Sequence, residues 1–220
     1  MIKRLYIDNY KSLVNFELPL QELTLLLGPN GVGKTCVLDV IFALRRLLSG
    51  EAKVADANAF PTPTLTRWQK RDIQVIEVDV VLEDDELRYR FELEHERPPK
   101  RARILLERLE SNGKPLFEFK LGEVHLYRDN HSEGPRYSAD WAESALARVP
   151  SRQDNTRLTR FLEFFHKVIV CGLYPASFQT ESSAMDAMLH RDAHNIAAWY
   201  QHCVLDRQDL VSDFLDVLRE

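Results

Sequence analysis

The chain has 220 residues, of which 45% are hydrophobic and 29% are charged, as is usual for a globular domain. A net charge of −5 gives no overall attraction to nucleic acid, so any DNA contact would need a local basic patch. No segment approaches the roughly 20 apolar residues of a membrane span, and the charged start lacks the apolar core of a secretion signal. Three scattered cysteines predict neither a disulfide framework nor a zinc site, and they favour a cytoplasmic location.

The first fifty residues predict three strands, a loop and a helix. The expected strands span Ile2–Asp8, Leu13–Leu18 and Leu23–Leu27. The third is continuously apolar, which is typical of a strand buried on both faces. Apolar residues at helical spacing then predict a helix over Thr35–Leu48 that stops at Gly50. The proline-containing stretch Glu51–Asp72 is expected to be a loop.

The middle of the chain is predicted to be rich in antiparallel strands. Alternating apolar and polar residues indicate a hairpin made of Ile73–Leu82 and Leu87–Leu93, joined by an acidic turn. A second hairpin is expected from Arg103–Leu109 and Leu116–Tyr127, with Ser111-Asn112-Gly113 between them. The polar stretch Asp129–Pro135 is expected to be a link.

The last third of the chain is predicted to be mainly helical. Ser151 to Asp154 form a capping-box pattern before a helix with an apolar stripe, namely Leu158, Phe161, Leu162 and Phe165. Val168–Leu173 is apolar and predicts another buried strand. Two further helices are expected at about Asn195–Val204 and Asp206–Arg219.

One short motif carries clear chemistry. It is the sequence Gly28-Pro29-Asn30-Gly31-Val32-Gly33-Lys34-Thr35, which matches G-x-x-x-x-G-K-[ST] at each fixed position. Glycines let the backbone N–H groups of such a loop turn inward around phosphate oxygens, and the following helix adds its N-terminal partial positive charge. Lys34 is expected to contact the β- and γ-phosphates, and the Thr35 hydroxyl is expected to bind Mg²⁺. The motif predicts a phosphate-binding loop.

The phosphate-binding loop does not by itself select a reaction. The Asn-Lys-x-Asp motif with which GTPases recognise guanine is absent from the sequence. Two β segments precede the loop, which is unusual for a small-molecule kinase. An ATPase needs an apolar strand that ends in an acid. Three alternatives therefore stay open, namely an ATPase, a small-molecule phosphotransferase and an ATP-sensing module without turnover.

Two segments imitate the missing ATPase motifs. Val80 to Asp85 look like a Walker B strand, but the acids are expected in the turn of the first hairpin. Leu47 to Glu51 resemble the Leu-Ser-Gly-Gly-Gln signature, but Gly50 is better explained as a helix stop. Val168–Leu173 ends without an acid. The residues therefore predict nucleotide binding without recognisable hydrolytic acids.

Three segments together resemble a known family. They are Ile7-Asp8-Asn9-Tyr10-Lys11-Ser12, the phosphate-binding loop, and Ala193-His194-Asn195-Ile196-Ala197. The chain resembles the N-terminal lobe of an ABC-type ATPase of the RecF, SMC and OLD group, in the branch called AAA_21-like. The resemblance implies an α/β P-loop NTPase lobe with α+β character and the cofactors ATP and Mg²⁺. One lobe would span residues 1–220, with an antiparallel β subdomain over 73–127 and a mainly helical region with one buried strand over 139–220.

The resemblance also implies partners. In that group the signature motif, the Walker B strand and the catalytic glutamate lie in a C-terminal lobe that this sequence lacks. We therefore expect a partner, either that lobe or a second ATPase subunit arranged head to tail. The implied function couples ATP binding and hydrolysis to a DNA repair or phage-defence assembly, with DNA or an effector nuclease as further partners and no membrane.

Some single residues receive roles from the resemblance. The backbone N–H of Cys36 would contact a phosphate, and Lys11 would lie near the nucleotide or else be a solvated charge. Gln179 is a candidate Q-loop residue that contacts Mg²⁺, or an ordinary surface glutamine. Arg97, Lys100, Arg101 and Arg103 form a basic cluster that either contacts DNA or is a solvated hairpin tip. Independently of the resemblance, the spacing of Asp186, His190 and His194 would align them as metal ligands on a helix, although a solvated helix face is favoured.

Overall fold

The structure is a computed structural model that describes residues 1–98, 101–206 and 215–216. The chain forms two compact units, Met1–Val168 and Ile169–Glu220. Within the described residues, no helix is both long and apolar enough to cross a membrane.

The first unit is built on an antiparallel sheet with the strand order β2-β1-β3-β4-β5-β6-β7-β8. The strands are β1 Ile2–Asp8, β2 Phe16–Pro19, β3 Ile73–Leu82, β4 Asp85–Glu96, β5 Arg101–Ser111, β6 Lys114–Lys120, β7 Glu123–Tyr127 and β8 Glu133–Ser138. Both predicted hairpins are confirmed, because β3 pairs with β4 and β5 pairs with β6. The predicted strand Leu116–Tyr127 is in fact two strands, since Leu121 and Gly122 adopt positive φ and form a turn. β8 occupies part of the stretch predicted to be a link.

Alternate residues of the strands point to opposite faces of the sheet. One set is buried in the core, and the other carries charges that pair across neighbouring strands. Arg4 lies 3.0 Å from Glu77, and Arg88 lies 2.8 Å from Asp79. Arg88 is more than half exposed, so its pair with Asp79 contributes little stability.

The core lies between the sheet and two helices, α1 Lys34–Leu48 and α2 Thr156–Lys167. The ring of Tyr89 on β4 lies 5.5 Å from that of Phe161 on α2, and both side chains are fully buried. The predicted apolar stripe of α2 is confirmed, since all four of its residues are buried. The predicted stop of α1 is also confirmed, because Gly50 follows the last turn with φ +68°.

The predicted capping box of α2 is wrong. The helix begins at Thr156, so Ser151 is too far upstream to cap it. The carboxylate of Asp129 caps the first turn instead, accepting hydrogen bonds from the N–H groups of Thr156 at 2.8 Å and Arg157 at 3.1 Å. Burial alone would raise the pKa of Asp129, but these bonds, the hydroxyl of Thr156 and the charge of Arg157 together lower it. A carboxylate from a loop distant in sequence therefore caps α2, a role that was predicted for Ser151.

Two predicted strands are absent. Leu23–Leu27 and Val168–Leu173 both have irregular structure. The side chains of Leu23, Leu25 and Leu27 are 89%, 76% and 80% exposed. An apolar run becomes a buried strand only where neighbouring strands pair with its backbone, and the described residues supply none. The prediction for Leu13–Leu18 is partly wrong, because Leu13 belongs to a tight turn with Tyr10 and β2 starts only at Phe16.

The second unit contains the helix α3 Ile196–Asp206. Asn195 precedes it and organises the upstream loop: its Nδ2 donates to Oδ2 of Asp186 at 2.7 Å, and its Oδ1 accepts from the N–H of His190 at 2.9 Å. The predicted helix at about Asn195–Val204 is therefore confirmed with a shift of one or two residues. The predicted helix Asp206–Arg219 lies mostly outside the described residues, which include only residues 206, 215 and 216 of it.

Candidate nucleotide-binding site

The predicted phosphate-binding loop, residues 28–35, leads directly into α1. Gly33 is buried at the start of the helix with φ +104°, a conformation that side chains rarely adopt. A Cβ atom built on Gly33 would lie 2.7 Å from Cδ2 of Leu13 and 2.8 Å from Oγ of Ser12. Only glycine therefore fits where the loop passes this close to the turn between β1 and β2.

Lys34 closes the loop on itself. Its Nζ atom donates to the carbonyl oxygens of Gly28 at 2.6 Å and Pro29 at 2.8 Å. An ammonium group has three N–H donors, so these two bonds leave one donor for an oxygen of a ligand. The lysine thus places a positive charge at the mouth of the loop while holding the loop's first residues in position.

The N-terminus of α1 is free to bind an anion. No side chain of the described residues caps it, and the first helical hydrogen bond runs from the N–H of Val37 to the carbonyl of Gly33 at 3.2 Å. The N–H groups that precede Val37 have no acceptor within the helix, and the helix dipole favours negative charge beside them. These features fit the phosphates of a nucleotide, and the exposed Thr35 fits a hydroxyl ligand for the accompanying Mg²⁺. Bound Mg²⁺ would neutralise phosphate charge there.

The turn between β1 and β2, residues 9–13, packs against this loop and is called the β1–β2 turn below. The ammonium of Lys11 lies 2.7 Å from Oδ2 of Asp39 on α1. Burial alone would lower the pKa of Lys11, but the hydrogen bond to Asp39 and the attraction of neighbouring acidic groups together raise that pKa. The hydroxyl of Ser12 lies 3.9 Å from Sγ of Cys36. The structure therefore brings Lys11 and Cys36 beside the loop, together with Ser12, to which the sequence assigned no role. Ser12 could have been recognised from the sequence, because it follows Lys11 in the Ile7–Ser12 segment.

The acids that imitate a Walker B strand lie at a hairpin turn, as predicted. Glu83 and Asp84 connect β3 to β4, and Asp85 is the first residue of β4. Asp85 is buried and binds two arginines of α2, Arg160 at 2.9 Å and Arg157 at 3.3 Å. Glu83 also pairs with Arg160. These carboxylates anchor α2 to the sheet.

The remaining candidates lie away from the loop in sequence. Gln179 is in the second unit, where its N–H donates to the carbonyl of His194 at 2.8 Å. Its Q-loop role stays a prediction. Asp186 and His190 are in a loop and not on a helix, and among the described residues no group of three His, Cys, Asp or Glu side chains could hold a metal.

The basic cluster is partly neutralised. Arg97 pairs with Asp72 at 2.8 Å, and Arg103 pairs with Glu94. Arg101 is exposed, and Lys100 lies outside the described residues. The cluster therefore presents less free charge than its sequence suggests.

Comparison with known proteins relates this chain to ATPases. Residues 1–131 match the family model of an AAA ATPase domain, AAA_15. An OLD nuclease of Thermus scotoductus is 49% identical over 41 residues, which make up 19% of this chain and only 8% of that protein. The matched family is one of P-loop proteins that bind ATP, generally together with Mg²⁺, and its match spans more than half of the chain. The chain therefore belongs to the AAA ATPase domain family, whose members bind ATP.

Proposed function

We propose that the chain binds Mg²⁺-ATP through residues 28–35 and serves as the nucleotide-binding lobe of an ABC-type ATPase of the RecF, SMC and OLD group. The observation that carries the proposal is the position of Lys34, whose ammonium bridges the first two carbonyls of the loop. Together with the uncapped N-terminus of α1, this arrangement presents one ammonium donor and several amide donors to the same anion.

The assignment to this group is supported by two observations. The first is the similarity to an OLD nuclease over a short segment. The second is the packing of the β1–β2 turn against the loop, because that turn belongs to the Ile7–Ser12 segment that resembles the group. On this basis the chain couples ATP binding and hydrolysis to a cytoplasmic DNA repair or phage-defence assembly, with DNA or an effector nuclease as partner.

Hydrolysis is proposed to require a further lobe. The described residues place no acid of an apolar strand beside the loop, because Glu83 and Asp85 are bound to arginines of α2. The exposed leucines 23, 25 and 27 precede the loop and need neighbouring strands on both sides. We therefore propose that a C-terminal lobe, or a second ATPase subunit arranged head to tail, covers this segment and supplies the hydrolytic groups.

Isothermal titration with the slowly hydrolysed analogue ATPγS tests the binding site. Lys34→Ala is expected to weaken binding by about a hundredfold, since it removes a charge-assisted contact worth about 1.5–3 kcal/mol and loosens the loop. Lys114→Ala, which removes an exposed lysine at the start of β6, is the control and should bind as the wild type does. Unchanged affinity in Lys34→Ala would refute the site.

Turnover measurements separate the proposed ATPase from the alternatives. The chain alone is expected to bind ATP with negligible hydrolysis, and hydrolysis should rise when a C-terminal lobe of the RecF, SMC and OLD group is added. In Leu25→Lys that stimulation should disappear while ATP binding persists, because the added lobe would have to bury a charged side chain where it covers residues 23–27. Turnover that rises only with a small phosphate acceptor would instead identify a phosphotransferase, and binding that no addition converts into turnover would identify a sensing module.

A further inference from the structure

A chain of buried polar groups crosses the sheet from β4 to β1. His95 on β4 and Gln74 on β3 are both almost completely buried. Nε2 of His95 lies 2.9 Å from Oε1 of Gln74. The other end of the Gln74 amide donates twice, to the main-chain carbonyl of Asn9 at 2.9 Å and to Oγ1 of Thr64 at 3.1 Å.

The partners of Gln74 fix the direction of each bond. A carbonyl oxygen can only accept, so the NH₂ group of Gln74 must face Asn9 and the amide oxygen must face His95. That oxygen in turn requires a proton on Nε2 of His95, which selects one neutral tautomer. Oγ1 of Thr64 accepts from Gln74 and donates to the carbonyl of Pro61 at 2.7 Å. One amide therefore holds two different segments in a single orientation.

Both segments lead to the β1–β2 turn. Asn9 is the first residue of that turn and adopts φ +62°, an uncommon conformation that needs support from its surroundings. Its side chain donates to the carbonyls of Arg71 and Ile73, at 2.9 Å each. Thr64 accepts a 2.6 Å hydrogen bond at its carbonyl from the N–H of Lys11. Gln74 thus fixes the turn at Asn9 directly and at Lys11 through Thr64.

The far side of the turn contacts the phosphate-binding loop. Ser12 and Leu13 are the residues that a Cβ on Gly33 would strike, and Lys11 is bound to Asp39 on α1. The position of the turn therefore determines how closely Ser12 and Lys11 approach the loop. A displacement of this turn, even of a few tenths of an ångström, would change the contacts with Gly33.

We propose that Gln74, oriented by His95, is a positioning residue for nucleotide binding, acting through the β1–β2 turn on the phosphate-binding loop. This inference rests on the proposed function, because it assigns Gln74 a role in the affinity of that same site for ATP. Gln74 and His95 do not contact the nucleotide; they hold the turn that packs against its site.

Gln74→Met tests the proposal, since methionine has a similar length but cannot donate to Asn9. The expected result is binding of ATPγS about tenfold weaker than in the wild type, corresponding to the loss of about one hydrogen bond's contribution. A general loss of stability must be separated from this effect. Ser144→Ala is the control, because it removes a hydrogen bond to the buried Glu107 elsewhere in the first unit and should leave ATPγS affinity unchanged.

Rescue and coupling distinguish positioning from mere structural support. His95→Gln restores an N–H donor to the amide oxygen of Gln74 and should retain the affinity, whereas His95→Leu should lower it. In a Lys11→Ala/Ser12→Ala background, the effect of Gln74→Met on affinity should largely disappear, because the turn no longer carries the side chains that it positions. Full additivity in that background would overturn the proposal.

The outcome also separates this inference from the proposed function. If neither the wild type nor any variant binds ATPγS, the proposed function fails. If the wild type binds, Lys34→Ala does not, and Gln74→Met binds as the wild type does, only the positioning role is refuted.

Discussion

Lys11 and Asp39 join the β1–β2 turn to the helix that follows the phosphate-binding loop, with 2.7 Å between Nζ and Oδ2. The two side chains are 42% and 18% exposed, so water screens their attraction. The contribution of this pair to the free energy of unfolding is therefore small, although it fixes where the ammonium lies.

Lys11→Ala is expected to change the free energy of unfolding by less than about 1 kcal/mol, as is usual for exposed pairs. Affinity for ATPγS should nevertheless fall severalfold, because a positive charge beside the loop is lost. Lys11→Arg keeps the charge and should keep most of the affinity. Urea unfolding and isothermal titration measure the two effects separately. Equal affinities of Lys11→Ala and the wild type would show that Lys11 is only a solvated charge.

Gly33→Ala is expected to destabilise the chain by roughly 1–3 kcal/mol and to abolish ATPγS binding. The added Cβ would meet Leu13 at 2.7 Å and Ser12 at 2.8 Å, at a φ of +104°. Gly113→Ala is a matched control, since Gly113 also has positive φ but, apart from its two chain neighbours, no described residue has an atom within 4 Å of its Cβ position. Gly113→Ala should lower the free energy of unfolding through backbone strain alone and should bind ATPγS with normal affinity. Equal losses in both variants would mean that the contact with the turn has no role.

Glu107 is a fully buried carboxylate whose hydrogen bonds tie β5 to the segment around Ser144. It accepts from the hydroxyl of Tyr89 at 2.9 Å, the hydroxyl of Ser144 at 2.5 Å and the N–H groups of Ala145 at 3.0 Å and Leu146 at 3.3 Å. Burial raises the pKa of Glu107 in spite of these four donors.

Glu107→Ala should destabilise the first unit by about 2–4 kcal/mol, because four buried donors lose their acceptor. Glu107→Gln should cost much less, since its oxygen can accept from the two N–H groups while both hydroxyls rotate to accept from its NH₂ group. Thermal unfolding of the two variants measures the difference. Equal destabilisation by both substitutions would contradict this account of the network.

Stability is expected to depend on the protonation of His95. Burial lowers the pKa of His95 from 6.5 to about 4, with Arg97 adding to the effect and Asp72 opposing it. The folded chain favours the neutral imidazole. The contribution of His95 to the free energy of unfolding is therefore complete above pH 6.5 and is lost progressively as the pH falls towards 4. The imidazolium would also place a second N–H at Nδ1, which is buried and unpaired.

His95→Gln removes this titration. The difference in unfolding free energy between wild type and variant should therefore change by up to about 3 kcal/mol between pH 7 and pH 4, the wild type losing more. Urea unfolding across this pH range measures it. A difference that stays constant with pH would show that His95 titrates normally.

Features set by neighbours in the sequence were predictable. The phosphate-binding loop, the hairpins and the apolar stripe of α2 follow from local spacing and turn residues. Features set by distant residues were not. Asp129 caps α2 from 27 residues away, and nothing in the pattern of Ser151 to Asp154 reveals that. Leu23–Leu27 has the composition of a central strand, but a strand also needs partners to pair with.

The same division applies to the candidate site. Lys34 and Thr35 were predicted as ligands from the motif alone, because the phosphate chemistry imposes their spacing, and their roles stay predictions. The positioning role that we propose for Gln74 and His95 was not predicted, since each looks like an ordinary polar residue in an alternating strand. Only the folded sheet places them in line with Asn9.

Glu83 and Asp85 bind arginines of α2, so these acids attach a helix although their sequence resembles that of catalytic acids. Evolution can preserve an acidic pair after an apolar strand because a helix depends on it for attachment. Alignment of such acids with the catalytic acids of other ATPases would then superimpose an anchor on a reaction centre. Simultaneous replacement of the acids and of Arg157 and Arg160 in a related chain would identify the anchor, since catalytic acids have no reason to vary together with that helix.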